Sequence, residues 1–530
     1  MIKVKPKKSF YLLLIASAFV AALSLFALHG HDSSRPGEHS ATHTDVYQII
    51  SRPCWFQFPQ EKAIECGELR TPVSSGAFSL PFVVIRDDSS DHQPDPVIYL
   101  RGGPGASMEL NTDGIEYWLN WLSYTELSRD LILLEPRGVG LSKPALTCAA
   151  FDKFSLSVVA RDTKLEDELA KGYQILTECF ENLGVAQHPF DVNHYGTALH
   201  AQDLQALMSL LGSSQKPGPQ KNGAQRNSSQ EDGSQGGFPQ WNLVGVSYGT
   251  RVAIEVANRS DKVRSLILDS VYPAGQGGVQ TFPAVLDNAF INFFNWCSTT
   301  PECAMDKPVQ EKLFSALEEL KKQPIAMTVS RYDGELPVEL LLNDHRFVSV
   351  IFSALYNRHQ WPKIPRVIEA AIARDVQGLL PLVKPFISNA FAKDFSILAF
   401  LAVDCRDHRI SSEADYQQAL KSYPLLADYT RDLWRYQACH FLMKEPSTQH
   451  LKTASPRVPA LILAGDLDPI TPVEWAEEIR QAWPEAQLKI FKDTGHAVIN
   501  SHDCAFQLLR EFLDNPREPV TGCGSSNTSD

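Results

Sequence analysis

An apolar run of strand length, Trp241 to Val246, passes through Gly245-Val246-Ser247-Tyr248-Gly249 into the helical stretch Thr250 to Asn258. This strand–turn–helix passage constrains the fold more than any other part of the chain. A turn that sharp strains its serine and lifts the hydroxyl above a sheet. Glycines on both sides remove the Cβ atoms that would collide with neighbouring strand and helix. The strand needs partners, and the sequence offers them. Apolar runs at Phe82 to Arg86, Pro96 to Leu100, Asp130 to Leu134, Val263 to Asp269, Ala460 to Gly465 and Leu488 to Lys492 are all strand-sized. Short apolar runs ending in glycine or proline turns are the mark of parallel strands covered on both faces. The class expected is α/β. Between the runs, His200 to Leu211 places Leu204, Leu207, Met208 and Leu211 on one helical face.

From about Pro273 to Ser455 the strand–helix alternation fades. Helical, aromatic-rich segments take over at Gln310 to Lys322, His345 to Tyr356 and Pro365 to Ala373. The organisation expected is a core from residues 32–272 and 456–530 with a mostly helical cap, 273–455, inserted in its second half as a lid. Residues 213–238, rich in Ser, Gln, Gly, Asn and Pro, bury too little to order themselves and are expected to form a disordered insertion.

A serine hydroxyl is a weak nucleophile and needs a base. Asp493-Thr494-Gly495-His496 follows the last strand, which puts His496 on a loop where α/β sites form. A carboxylate should orient it from the turn after Ala460 to Gly465. Asp466 and Asp468 compete there; Pro469 and Pro472 favour Asp468, while Asp466 suits local turn bonds. An oxyanion needs two converging N–H groups. One comes from Tyr248, after the serine, and the other from Arg101-Gly102-Gly103-Pro104-Gly105. The glycines of Glu135-Pro136-Arg137-Gly138-Val139-Gly140-Leu141-Ser142 lack both G-x-G-x-x-G and a P-loop lysine, so no nucleotide site is expected and Arg137 is read as a brace.

The 530 residues carry a formal net charge of -13, the wrong sign for a nucleic-acid partner. Lys3, Lys5, Lys7 and Lys8 precede an apolar run over residues 10–28, about 28 Å long as a helix. Residues 1–31 therefore read as a signal peptide or an uncleaved N-terminal membrane anchor, and either exports the body. The expected location is periplasmic or extracellular. Ten cysteines suit an oxidising compartment, and their grouping suggests neighbour pairs: Cys54 with Cys66, Cys148 with Cys179, Cys297 with Cys303, Cys405 with Cys439, Cys504 with Cys523. None has zinc spacing, so neither a metal nor a cofactor is expected.

Together, Arg101-Gly-Gly-Pro-Gly105, Arg137-Gly-x-Gly-x-Ser142, Gly245-Val-Ser-Tyr-Gly-Thr250, Asp468-Pro-x-Thr-Pro472 and Gly495-His496 resemble the α/β-hydrolase family of proline iminopeptidases, and more closely its secreted tripeptidyl-aminopeptidase-like branch. The resemblance spans about residues 50 to 523. It implies an α/β-hydrolase fold and a triad of Ser247, Asp468 and His496, with Gly103 and Tyr248 as the oxyanion hole. It also implies release of short peptides, or of a residue such as proline, from free N-termini beneath the cap. Asp404, Asp407 and Glu413 are unranked candidates to hold the substrate's ammonium group. A carboxylic ester hydrolase with the same triad is the alternative, and a non-catalytic binding protein on this scaffold the third reading.

Overall fold

Branched aliphatic residues with both faces covered make the apolar runs into strands. The computed structural model describes residues 45–183, 190–213, 238, 240–332, 334–408, 412–443 and 457–522. The leader (1–31) and residues 214–237 of the expected insertion lie outside the described residues. Strands β1 (Gln48–Arg52), β2 (Ile64–Arg70), β3 (Ser79–Ile85), β4 (Gln93–Leu100), β5 (Arg129–Leu134), β6 (Trp241–Val246) and β7 (Val263–Asp269) precede a separate hairpin, β8 (Ile325–Val329) and β9 (Val338–Leu342). After it come β10 (Ala460–Gly465) and β11 (Gln487–Phe491).

Among the described residues, nine strands form one sheet in the order β1-β2-β3-β5-β4-β6-β7-β10-β11. The β1–β2, β2–β3 and β3–β5 pairs are antiparallel; from β5 to β11 every pair is parallel. Successive residues of one strand enter opposite cores. Leu243 and Ile462 join the cluster on one face, Val244 and Leu461 that on the other. Each such side chain stabilises the fold by about 1.5–3 kcal/mol relative to exposure. This is the expected α/β-hydrolase sheet. Its parallel strands end along one edge, which gathers Arg101, Ser247, Asp269, Asp466 and the loop after Phe491.

The cap is built on a third core, centred on the helices Phe282–Thr299, Val309–Lys322, Asp344–Leu355, Ile364–Ala373 and Val376–Ala390. The β8–β9 hairpin departs from the helical expectation. In β8, Ile325, Met327 and Val329 are buried while Ala326 and Thr328 are exposed, a period of two too short to stand out among helices. The cap and core segments also interlock. Val158, Val159 and Leu169, from the N-terminal half, belong to the cap's core, and the Leu341 N–H donates to the Val159 carbonyl at 2.7 Å. In return, helix Ile397–Asp407 sends Leu398, Ala399, Ala402 and Val403 into the core against the sheet.

Four disulfides join the neighbours that the spacing grouped: Cys54–Cys66, Cys148–Cys179, Cys297–Cys303 and Cys405–Cys439. Cys504 is also disulfide-bonded, and Cys523 lies outside the described residues. Arg137 is the expected brace. Its buried guanidinium donates to both Asp203 oxygens at 2.6 and 2.7 Å and to the Ser75 and His194 carbonyls. Among the described residues no helix is long and apolar enough to cross a membrane.

Candidate active site

Strand β6 ends at Val246, and the next residue breaks the regular backbone. Ser247 has φ 56° and ψ −125°, a conformation that costs a side-chain-bearing residue about 1–3 kcal/mol and persists only where its surroundings impose it. They do. The Ser247 N–H donates to the Asp269 carbonyl at 2.9 Å, and the Thr250 N–H and hydroxyl both donate to the Ser247 carbonyl. A Cβ on Gly249 would collide with the Leu100 carbonyl, so only glycine lets the helix Tyr248–Arg259 start this close to β4. Tyr248 opens that helix, and first-turn N–H groups have no partner within a helix. Its own phenol is buried and donates or accepts with Thr197 and His200.

The loop after β4 lies against the serine. A Cβ on Gly102 would sit 3.0 Å from Ser247 Cβ and 3.4 Å from Ser247 Oγ. Gly103 lines the same cavity as Ser247. Arg101 serves the loop rather than the cavity. Its guanidinium donates to the Ser107 carbonyl and lies 3.4 Å from Glu109 and 3.8 Å from Asp394. The cap is stitched to this loop, Ser396 N–H to the Gly105 carbonyl and Ser107 N–H to that of Asp394, each at 2.8 Å.

His496 and Asp468 meet. Nδ1 of His496 is 2.8 Å from Asp468 Oδ2 and 3.0 Å from Oδ1. Oδ1 also accepts the N–H groups of Ile470 and Thr471 at 2.9 Å, and Oδ2 the Thr471 hydroxyl at 2.7 Å. Burial alone would raise the Asp468 pKa, but the imidazole and these donors win and hold it below the ordinary carboxylate value. Tyr356 fixes the histidine from the cap: its carbonyl accepts the His496 N–H at 3.1 Å, and its ring meets the imidazole edge-on. Asp466, the other carboxylate of that turn, reaches across to the histidine loop. It accepts the Thr494 N–H at 3.2 Å and so steadies the histidine loop.

Sequence reasoning missed Asp269 and Ser270, at the end of β7. The Asp269 carboxylate, fully buried, accepts the N–H groups of Val498 and Ile499 at 2.9 and 2.8 Å, while its carbonyl holds Ser247. The Ser270 hydroxyl accepts the Ala497 N–H at 2.9 Å, and its N–H donates to the Leu463 carbonyl. Two residues thus tie together the serine turn, the strand before Asp468 and the histidine loop. Burial pushes the Asp269 pKa up to about 6 against the pull of the Ile499 and Val498 N–H groups. A carboxylate ending a parallel strand was the available signal.

Glu135 stands behind this loop region, fully buried. Its Oε1 accepts the Met108 N–H at 3.2 Å, and burial raises its pKa to about 7. A raised carboxyl binds its proton more tightly folded than unfolded. Its contribution to stability is therefore whole below the unfolded value of 4.5 and lost as pH rises through about 7. Glu135→Gln should flatten the fall in Tm between pH 5 and 8, by up to about 3 kcal/mol of stability. An unchanged Tm–pH slope in the variant would show that Glu135 does not set it.

Three sites of the expected ammonium partner separate clearly. Asp407 is occupied: it accepts the Thr197 N–H and hydroxyl and lies 3.7 Å from Arg251. Glu413 is exposed at the start of helix Glu413–Ser422. Asp404, buried and 2.8 Å from His408 Nδ1, lines the cavity of Ser247 and Gly103.

The family description "TAP-like protein" matches residues 427–524, the stretch that contains Asp468 and His496. Over 525 aligned residues the chain is 23% identical to the tripeptidyl aminopeptidase of Streptomyces lividans, covering 92% of this chain and 89% of that one. It is 21% identical to the serine protease Hip1 of Mycobacterium tuberculosis, covering 89% of each. The chain is a serine hydrolase with the α/β-hydrolase fold. Among solved structures, the hydrolase is similar to a proline iminopeptidase of Mycobacterium smegmatis, at 13% identity and a TM-score of 0.38 over 83% of this chain and 96% of that one. The peptidase relatives make it a peptidase rather than a binding protein on the same scaffold.

Proposed function

We propose that the hydrolase is an exported exopeptidase that releases short peptides, or a single residue such as proline, from free N-termini through an acyl-enzyme. Ser247 is the nucleophile and His496 its base. Asp468 holds the imidazole in the tautomer that leaves Nε2 able to accept the serine proton. Ser247 Oγ attacks the scissile carbonyl, and the N–H groups of Gly103 and Tyr248 take the charge that develops on its oxygen. The imidazolium returns the proton to the leaving amine. Water, deprotonated by the same imidazole, then frees the acyl group.

The observation that carries the N-terminal preference is the place of Asp404. A buried carboxylate in the wall of the Ser247 cavity supports an ammonium ion there and disfavours a neutral amide. Export rests on the lysine-flanked run 10–28 and on the disulfides, and recovery of the protein outside its host's cytoplasm checks it. The specificity test uses fluorogenic peptides of one to four residues, free or N-acetylated, with products read by mass. Free peptides should be cleaved and acetylated ones spared. Asp404→Asn should lower kcat/KM on free peptides by about 10²-fold, from the lost charge pair. Equal rates on blocked and free peptides would remove the reading.

A further inference from the structure

Asp404 lines two cavities, that of Ser247 and a second one beside it. The walls of the second come mainly from two helices. Leu169, Tyr173 and Leu176 project from Leu165–Asn182, and Ile397 and Leu401 from Ile397–Asp407. Each set steps by three and four residues, so each presents one helical face, and Asp404 continues the second. Disulfides brace both walls. Cys148–Cys179 anchors the first helix, and Cys405–Cys439 joins the residue after Asp404 to Cys439 in the cavity lining. The lining is largely apolar. Its polar groups include the buried Tyr173 hydroxyl, which finds no hydrogen-bond partner among the described residues. A buried hydroxyl left unpaired is costly, which is why native cores rarely keep one.

We propose that this second cavity is the subsite for the side chain of the substrate's first residue, and that it takes an apolar one. The inference rests on the exopeptidase reading above, with Asp404 at the ammonium group. An ammonium group held there fixes the first Cα at the junction of the two cavities. The peptide runs one way, to Ser247. The side chain leaves the other way, between Leu176 and Leu401, where apolar surface is removed from water. The Tyr173 hydroxyl offers one hydrogen bond to a polar tip, as on tyrosine.

Two peptide series test it, Xaa-Ala-Ala- and Ala-Ala-Xaa-aminomethylcoumarin, each free and N-acetylated, with Xaa as Gly, Leu, Phe, Tyr or Asp and products read by mass. In the first series Leu, Phe and Tyr should exceed Gly in kcat/KM by about 10–100-fold, and Asp should fall below Gly. Leu176→Trp, which fills the cavity, should bring the Phe-to-Gly ratio close to one. Leu401→Ala, which enlarges it, should raise the ratio of Tyr to Leu. A ratio within one preparation is insensitive to how much of a variant folds, and the wild-type series decides alone if neither variant is recovered. Free peptides cleaved, acetylated ones spared, and rates flat across the first residue would overturn the subsite and leave the exopeptidase reading standing. So would a preference seen only in the second series, or a Phe-to-Gly ratio that survives Leu176→Trp. Acetylated peptides cleaved as fast as free ones would remove both.

Discussion

Replacing Ser247 by Ala is expected to lower kcat on a free-N-terminal peptide by about 10⁶-fold, with the thermal transition little changed. The magnitude follows from the site's design. A strained turn places the Ser247 hydroxyl at the open end of β6, 3.4 Å from the position a Gly102 Cβ would occupy. The residual rate comes from the N–H groups and the cavity, which survive the change. Adding Asp468→Asn to Ser247→Ala should cost little more, because residues acting as one unit fail together. Single-turnover kinetics on both proteins checks this. A Ser247→Ala protein retaining a tenth of wild-type activity would contradict it.

Asp468→Asn alone should lower kcat by about 10⁴-fold while the site stays assembled. The reason lies in the four donors around that carboxylate. Asn Oδ1 still accepts the Ile470 and Thr471 N–H groups, so the new amide nitrogen falls where Oδ2 meets His496 Nδ1 at 2.8 Å. An N–H₂ there donates, and Nδ1 must accept. The proton then sits on Nε2, and an imidazole protonated at Nε2 cannot take one from Ser247. The variant should keep near-normal KM and bind N-terminal peptides as before. A fall in kcat below tenfold would mean that Asp468 does not set the tautomer.

Much of this site was legible because its backbone demands are written in small residues. The turn at Ser247 needs glycine where Gly249 passes Leu100, and that spacing is visible without coordinates. β6, β7 and β10 begin and end where their apolar runs do, since a strand buried on both faces has no polar positions to blur its limits. What escaped was long-range. Asp269 reads as one carboxylate among many until β7 sets it between Ser247 and Val498, 229 residues from the latter. Asp404 could not be ranked above Asp407 by sequence, because what separates them is Arg251 and Thr197, far off in the chain. The β8–β9 hairpin was hidden by its length, five residues a strand, inside a helical region. Helix Leu165–Asn182 looked like part of the core, yet Leu169 packs in the cap and Leu176 against the sheet.

The most direct test of the site is covalent labelling. The wild-type protein is incubated with a fluorophosphonate and its intact mass and digest are read by mass spectrometry. One adduct is expected, on the peptide containing Ser247, with labelling lost in His496→Ala although that protein still unfolds cooperatively. A folded wild-type protein that takes no label, or takes it on another residue, would contradict the assignment of Ser247 as the nucleophile.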